Sequence, residues 1–223
     1  MSIQTANSTT SSDRRFFLSG ISWQTYEALL ADIGDRSSIR LSFNNGDLEL
    51  MSPGGLHDRY KTRFGRMIET LTEELDIPMD GCGSTTLRRG DVTKGLEPDE
   101  AFYILNESKV RGKLNMDLAV DPPPDLAIEI DITSSSVDRE GIYAALGVPE
   151  IWRYDGDTLR VFQLKKTGIY ERTESSLNLP FLPIAEFAAF LEFLPYEDQT
   201  TWAKRFRGWL RDRLLPLYQA HCA

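Results

Sequence analysis

The sequence predicts one α/β domain, a mixed central β-sheet flanked by helices, with a β-hairpin ahead of the core and a helical extension behind it. Three observations predict it. Apolar residues recur at helical spacing over 58–76, alternate with period two over 98–105 and 126–132, and pass from a helical pattern back to a strand over 137–154. The 223 residues suffice for one sizeable core, and no Gly/Ser or Pro linker separates the periodic segments. The expected division is a disordered polar tail over 1–15, the core domain over 16–180, and a C-terminal helical extension over 181–223 that packs on the same domain.

Taken in order, Ser22 caps a short helix carrying Trp23, Tyr26, Leu29 and Leu30, which Gly34 ends. Ile39, Leu41 and Phe43 then alternate with polar residues, Asn44-Asn45-Gly46 turns the chain, and Leu48 and Leu50 resume the alternation as a hairpin. The helix over 58–76 buries Tyr60, Phe64, Met67, Ile68, Leu71 and Leu75, with Asp58 as its simplest N-cap. Strands follow over 84–92, 98–105 and 126–132. Ser134, Ser135 and Ser136 can cap a helix through Ile142, Tyr143, Ala145 and Leu146 to Gly147, before a strand over 150–154. A hairpin turning at Lys165-Lys166-Thr167-Gly168 completes the sheet, and Asp198 caps a last helix with Trp202, Phe206, Trp209, Leu210 and Leu214, suited to packing within the chain or to a dimer contact.

The strand over 126–132 carries the chemistry. Leu126, Ile128, Ile130 and Ile132 fall on one face, and Asp125, Ala127, Glu129 and Asp131 on the other. Two like charges 4 Å apart repel by about 4 kcal/mol at an effective dielectric of ~20, so such a ladder needs a cation, a proton or open water. On its own strand Asp99 shares a face with Ala101 and Tyr103, opposite Phe102 and Ile104; if the two strands are neighbours, Asp99 meets Glu129.

Composition narrows the function. Hydrophobic residues at 41% and charged residues at 26% match ordinary globular usage, and 25 basic against 34 acidic residues give a net charge of −9. That disfavours a generic nucleic-acid binder but not a nuclease, since bound divalent cations reverse the local sign. No apolar run of about 18 residues and no signal-peptide core occur, so a cytoplasmic protein is expected. Cys82 and Cys222 sit at no metal-ligand spacing.

These residues in this order resemble the Uma-type putative restriction endonuclease family, a branch of the PD-(D/E)XK nuclease superfamily, from about Tyr26 to Leu164. The resemblance is carried by Leu48-Glu49-Leu50-Met51-Ser52-Pro53 with His57 behind it, and by Glu97-Pro98-Asp99-Glu100. Ala127-Ile128-Glu129-Ile130-Asp131 with Thr133 and Ser134, and the stretch from Ile142 to Trp152, complete it. It implies a restriction-endonuclease-like core and a Mg²⁺-dependent endodeoxyribonuclease, with DNA as substrate and Asp99 and Glu129 binding Mg²⁺ or Mn²⁺. Oxygen-only ligation by Asp99, Glu129 and Asp131, without cysteine or a histidine pair, suits those ions better than Zn²⁺.

One departure stands out. The superfamily places lysine two residues after the second acid, where this chain has Asp131. The resemblance points instead to Arg139, four residues before Tyr143, and Lys94, five residues before Asp99, is the other candidate. Arginine could stabilise phosphorane charge but could not act as a base. His57 opens the long helix, where it is either an exposed helix-start residue or a group near phosphate or water. Asp131 could instead cap the next helix or pair with Arg139, and Glu49 could lie on a solvated face or support the site. The alternatives are a non-catalytic interaction module that keeps the fold, and glycoside hydrolysis by paired carboxylates without a metal. One site per chain cutting both strands of a duplex favours a homodimer.

Overall fold

Residues 13–34, 39–132 and 135–222 are described in the computed structural model. The chain forms β1 (Arg14–Leu18), α1 (Trp23–Ile33), β2 (Arg40–Asn44), β3 (Asp47–Ser52), α2 (Gly55–Glu74), β4 (Asp80–Gly81), β5 (Leu87–Arg89), β6 (Lys94–Leu96) and β7 (Glu100–Tyr103). It continues with α3 (Glu107–Val110), β8 (Leu126–Ile130), α4 (Arg139–Leu146), β9 (Glu150–Tyr154), β10 (Leu159–Leu164), β11 (Tyr170–Thr173), α5 (Ile184–Ala188), α6 (Gln199–Trp209) and α7 (Leu215–Cys222). The mixed α/β class is as expected, but the strands divide between two sheets. One has order β1-β3-β2-β6-β5 and is antiparallel throughout; the other, β11-β10-β9-β8-β7-β4, is mixed, with β8 and β9 parallel. No helix among the described residues is long and apolar enough to cross a membrane.

Several boundaries move for local reasons. The strand expected over 84–92 breaks after Arg89 into a single turn at Gly90–Val92, and β6 then pairs with β2 in the hairpin's sheet. Gly95 permits this: a Cβ there would strike the Tyr26 hydroxyl and Arg88. β1 begins inside the stretch that composition marks as a tail, whose residues 1–12 lie outside the described ones. Gly54, not Asp58, stands at the N-cap of α2, and Asp13 accepts from its N–H at 2.8 Å. The cap of α4 is Asp138, which accepts from Gly141 N at 2.9 Å, rather than the serines. Ser135 turns to Glu49 instead, and Ser134 falls outside the described residues.

The apolar face of β8 does what its alternation requires. Leu126, Ile128 and Ile130 pack with Phe64, Met67, Ile68 and Leu71 of α2 and with Trp152 and Tyr154 of β9. The C-terminal helices close the same core: Trp202, Phe206, Leu210 and Leu214 are buried within the chain, and Arg211 forms a two-pronged pair with Glu74 of α2 at 2.7 and 2.9 Å. Ala127, on the opposite face, packs under α4 with Ile142, Tyr143 and Leu146. That face is therefore covered, and Glu129 is only 5% exposed. Cys82 is half-buried, and burial pushes its thiol up to about 12, which fits an inert side chain.

Glu150, buried at the start of β9, ties the 176–178 segment to the sheet. It accepts from Trp152 Nε1 at 2.5 Å, from Ser176 Oγ at 2.7 Å, and from the backbone N–H groups of Leu177 and Asn178. Burial nevertheless outweighs these donors and raises its carboxyl above the ordinary 4.5. Burial likewise raises Glu97 and Glu100. A raised carboxyl binds its proton more tightly in the folded chain, so its contribution to stability is present below the ordinary value and lost as pH rises through the folded one. The melting temperature is therefore expected to rise on acidification from neutrality toward the ordinary carboxylate value, and Glu150→Gln to flatten that slope. A wild-type melting curve that falls steadily over the same window would contradict this.

Candidate active site

Asp99 immediately precedes β7. Its N–H donates to Ile128 O at 3.1 Å, and the pairing of Glu100 with Ile128 sets it opposite Glu129. The expected adjacency of the two acids is thus present, and both are buried, Asp99 at 1% exposure. Asp99 Oδ2 accepts from Ile130 N at 2.6 Å. Its Oδ1 contacts the Arg40 guanidinium and lies 2.7 Å from His57 Nε2. The opposite ring nitrogen of His57 is 3.3 Å from Asp13 Oδ2. His57 is therefore neither exposed nor facing water: it is a buried link between two carboxylates.

Glu129 is answered from α4. Arg139 Nη2 donates to Glu129 Oε1 at 2.6 Å and to Glu97 O at 2.9 Å, Nη1 donates to Ser42 Oγ at 2.6 Å, and the Tyr143 hydroxyl donates to the same Glu129 oxygen. Arg139 and Tyr143 reach one carboxylate because residues four apart share a helix face. Burial alone would lower the Arg139 guanidinium, but the Glu129 carboxylate against it prevails and holds it above its ordinary value. Burial first, and Glu129 second, push Tyr143 well above its ordinary range, so it remains a neutral donor. Arg40 is lowered by its burial, against the field of Glu129.

The other candidates separate from this pair. Asp131 is held by Arg153 Nε at 2.5 Å, and Arg153 also pairs with Glu140, so Asp131 neither caps α4 nor meets Arg139. Lys94 donates its ammonium to Gly141 O at 3.0 Å and so ties β6 to α4. Glu49 is not on a solvated face: it is 1% exposed and accepts from Arg15 at 2.7 Å, Ser135 Oγ at 3.0 Å and Ser136 N at 2.8 Å. Asp58 lies exposed on the first turn of α2.

Among the described residues, no three His, Cys, Asp or Glu side chains converge as a metal-binding group. The expected trio of Asp99, Glu129 and Asp131 is thus not gathered around one point; each acid instead faces a guanidinium of its own, Arg40, Arg139 and Arg153 in turn. Glu129 and Asp131 do line a common cavity of about 440 Å³, whose wall does not include Asp99. The wall holds five carboxylates, Glu129, Asp131, Asp138, Glu140 and Asp155, against three guanidiniums, Arg139, Arg153 and Arg160.

The oxygens around Arg139 suit a hard cation in kind: a carboxylate, a backbone carbonyl and a hydroxyl face one positive group, with Asp99 on the neighbouring strand. An ion could share them only if Arg139 moved its guanidinium aside. Arg139 Nε, buried and without a hydrogen-bond partner, marks an arginine whose donors are not all satisfied where it stands.

Arg40, Ser42, Asp13 and Tyr143 are the site residues that the sequence reading passed over. For Arg40 and Ser42 a signal existed, since they alternate with Leu41 and Phe43 on β2 as Glu129 alternates with Ile128 and Ile130 on β8. Tyr143 was legible only as core, and Asp13 carries no local pattern at all.

A family profile described as Uma2, putative restriction endonuclease, matches residues 23–192. Among solved structures, the chain is similar to a putative nuclease belonging to DUF820 from Anabaena variabilis, at 17% identity over 85% of this chain and 99% of that one, with a TM-score of 0.49. No curated protein matches it.

Proposed function

The chain belongs to the Uma2 family of putative restriction endonucleases, and on that premise we propose that it hydrolyses phosphodiester bonds in DNA at the Asp99–Glu129 pair, with Mg²⁺ or Mn²⁺ as its ion. The observation that carries this reading is the placement of two buried acids opposite each other across β7 and β8, beside a cavity in which carboxylates outnumber guanidiniums. A phosphodiester would be repelled from such a cavity unless a cation accompanied it. When bound, that ion would neutralise the phosphoryl oxygens and acidify a water.

Asp99 and Glu129 would hold it, joined by the Glu97 carbonyl and Ser42 hydroxyl that now accept from Arg139. Asp131 is left to Arg153. Arg139, which stays charged, would turn its fork to the phosphoryl oxygens in place of the superfamily lysine. His57, held between Asp13 and Asp99, is a positioning residue that fixes the Asp99 carboxylate. The Lys94 ammonium donates to Gly141 O of α4 and is given no role at the ion. A two-fold dimer would place one site on each strand of a duplex.

The non-catalytic module remains the second reading, because Asp99, Glu129 and Asp131 each already face a guanidinium. Nicking of supercoiled plasmid by the purified protein separates the two. Nicked circles with Mg²⁺ or Mn²⁺, and none in chelator, are expected. Intact plasmid with either ion across a range of salt would remove hydrolysis of this substrate and leave the module.

A further inference from the structure

On the side of α2 away from His57 lies a cavity of about 200 Å³ walled by one carboxylate, Asp58, against three guanidiniums, Arg59, Arg63 and Arg66, with the rings of Phe193 and Trp202. Helical geometry puts all three arginines roughly 180–240° around the axis from His57. The Arg63 guanidinium stands 3.9 Å from the Phe193 ring centre and 4.7 Å from that of Trp202, with Arg59 4.5 Å from the first ring and Arg66 5.5 Å from the second. Arg63 is 9% exposed and donates to Leu191 O at 3.3 Å and Glu192 O at 2.7 Å, so its role is to hold the segment that carries Phe193. Its own burial, and then the charge of Arg59, lower its guanidinium below the ordinary value.

Arg59 and Arg66 are exposed. Among the described residues, only Arg14 and these three arginines have no carboxylate within ion-pair distance. Three of the four unpaired arginines therefore share one helix face, in a chain with 34 acidic side chains against 25 basic ones. The crowding of like charge is relieved by an anion, and rings that fix the guanidinium planes prepare them for two-pronged contact with phosphate.

We propose that Arg59 and Arg66 seat backbone phosphates of the nucleic-acid strand. The two are seven residues apart, about 10.5 Å along the helix, which suits a repeating anion better than an isolated one. Tyr196, 85% exposed in the loop between Phe193 and Gln199, supplies an aromatic face on which a base can stack, and that favours a nucleic acid over an acidic peptide. The assignment rests on nucleic acid being the substrate, not on its hydrolysis.

Anisotropy of a labelled single strand and of its duplex, measured in chelator across a salt series, tests it with the full chain. Wild type is expected to bind with an affinity that falls as salt rises, and Arg59→Ala/Arg66→Ala to reduce the log–log slope by about 2. Lys166→Ala, which removes an exposed charge from the β10–β11 turn, should leave the slope unchanged. Equal slopes for wild type and the double variant, or displacement of the strand by polyglutamate at equal charge, would overturn the assignment. Plasmid nicking by the same proteins keeps the two claims apart. Undiminished binding and nicking by the double variant would end the phosphate seat and leave hydrolysis standing. Arginine-dependent binding without nicking by any of the proteins would do the reverse.

Discussion

Replacing Glu129 with alanine is expected to lower the unfolding free energy by about 3–5 kcal/mol, because it leaves a buried cation without its anion. Arg139 would keep only Ser42 Oγ and the Glu97 carbonyl, its Nε already lacks a partner, and Tyr143 would lose the acceptor for its hydroxyl. The side chains of Arg139 and Glu129 are 11% and 7% exposed, so water entering from the cavity they line replaces the missing carboxylate only in part. Glu129→Gln keeps an oxygen facing both donors and should cost less than the alanine variant. Removing both charges, in Glu129→Leu/Arg139→Met, should destabilise by less than the sum of the single changes. Urea unfolding of the set measures this, and a Glu129→Ala protein within about 1 kcal/mol of wild type would show that the pair is not closed as described.

The stability result dictates how the chemistry must be tested. An alanine variant that fails to nick DNA could be unfolded, so Asp99→Asn and Glu129→Gln are the informative changes. Either is expected to cut metal-dependent plasmid nicking by about 10³-fold, some 4 kcal/mol of barrier, because the carboxylate charge proposed to hold the ion is gone while the shape remains. Asparagine at 99 keeps an acceptor for Ile130 N but turns an amide N–H toward Arg40, so circular dichroism and a melting curve must first show that the variant is folded. Isothermal titration with Mn²⁺ should show the same two variants losing affinity together. Nicking at the wild-type rate in Asp99→Asn would dissociate the activity from this site.

The sequence by itself determined the α/β class, the helix over α2 and the two faces of β8, whereas the adjacency of Asp99 and Glu129 followed only once β7 paired with β8. The class, the helix and the faces follow from a period of 3.6 or 2.0 imposed on apolar residues, which a single segment displays without reference to the rest of the chain. The family resemblance was legible for the same reason, as short motifs in a fixed order. The partition into two sheets was not, because the pairing of β6 with β2 depends on the bend at Gly90–Val92 and on a glycine that lets Tyr26 close over the strand. The carboxylates looked like a ladder open to water or metal. Tertiary structure decided otherwise, bringing Arg40 from β2, Arg139 from α4 and Arg153 from β9 onto Asp99, Glu129 and Asp131 in turn. Partners 10 to 59 residues away along the chain leave no local period behind, and the demand that a buried charge be met is settled only when the elements have packed.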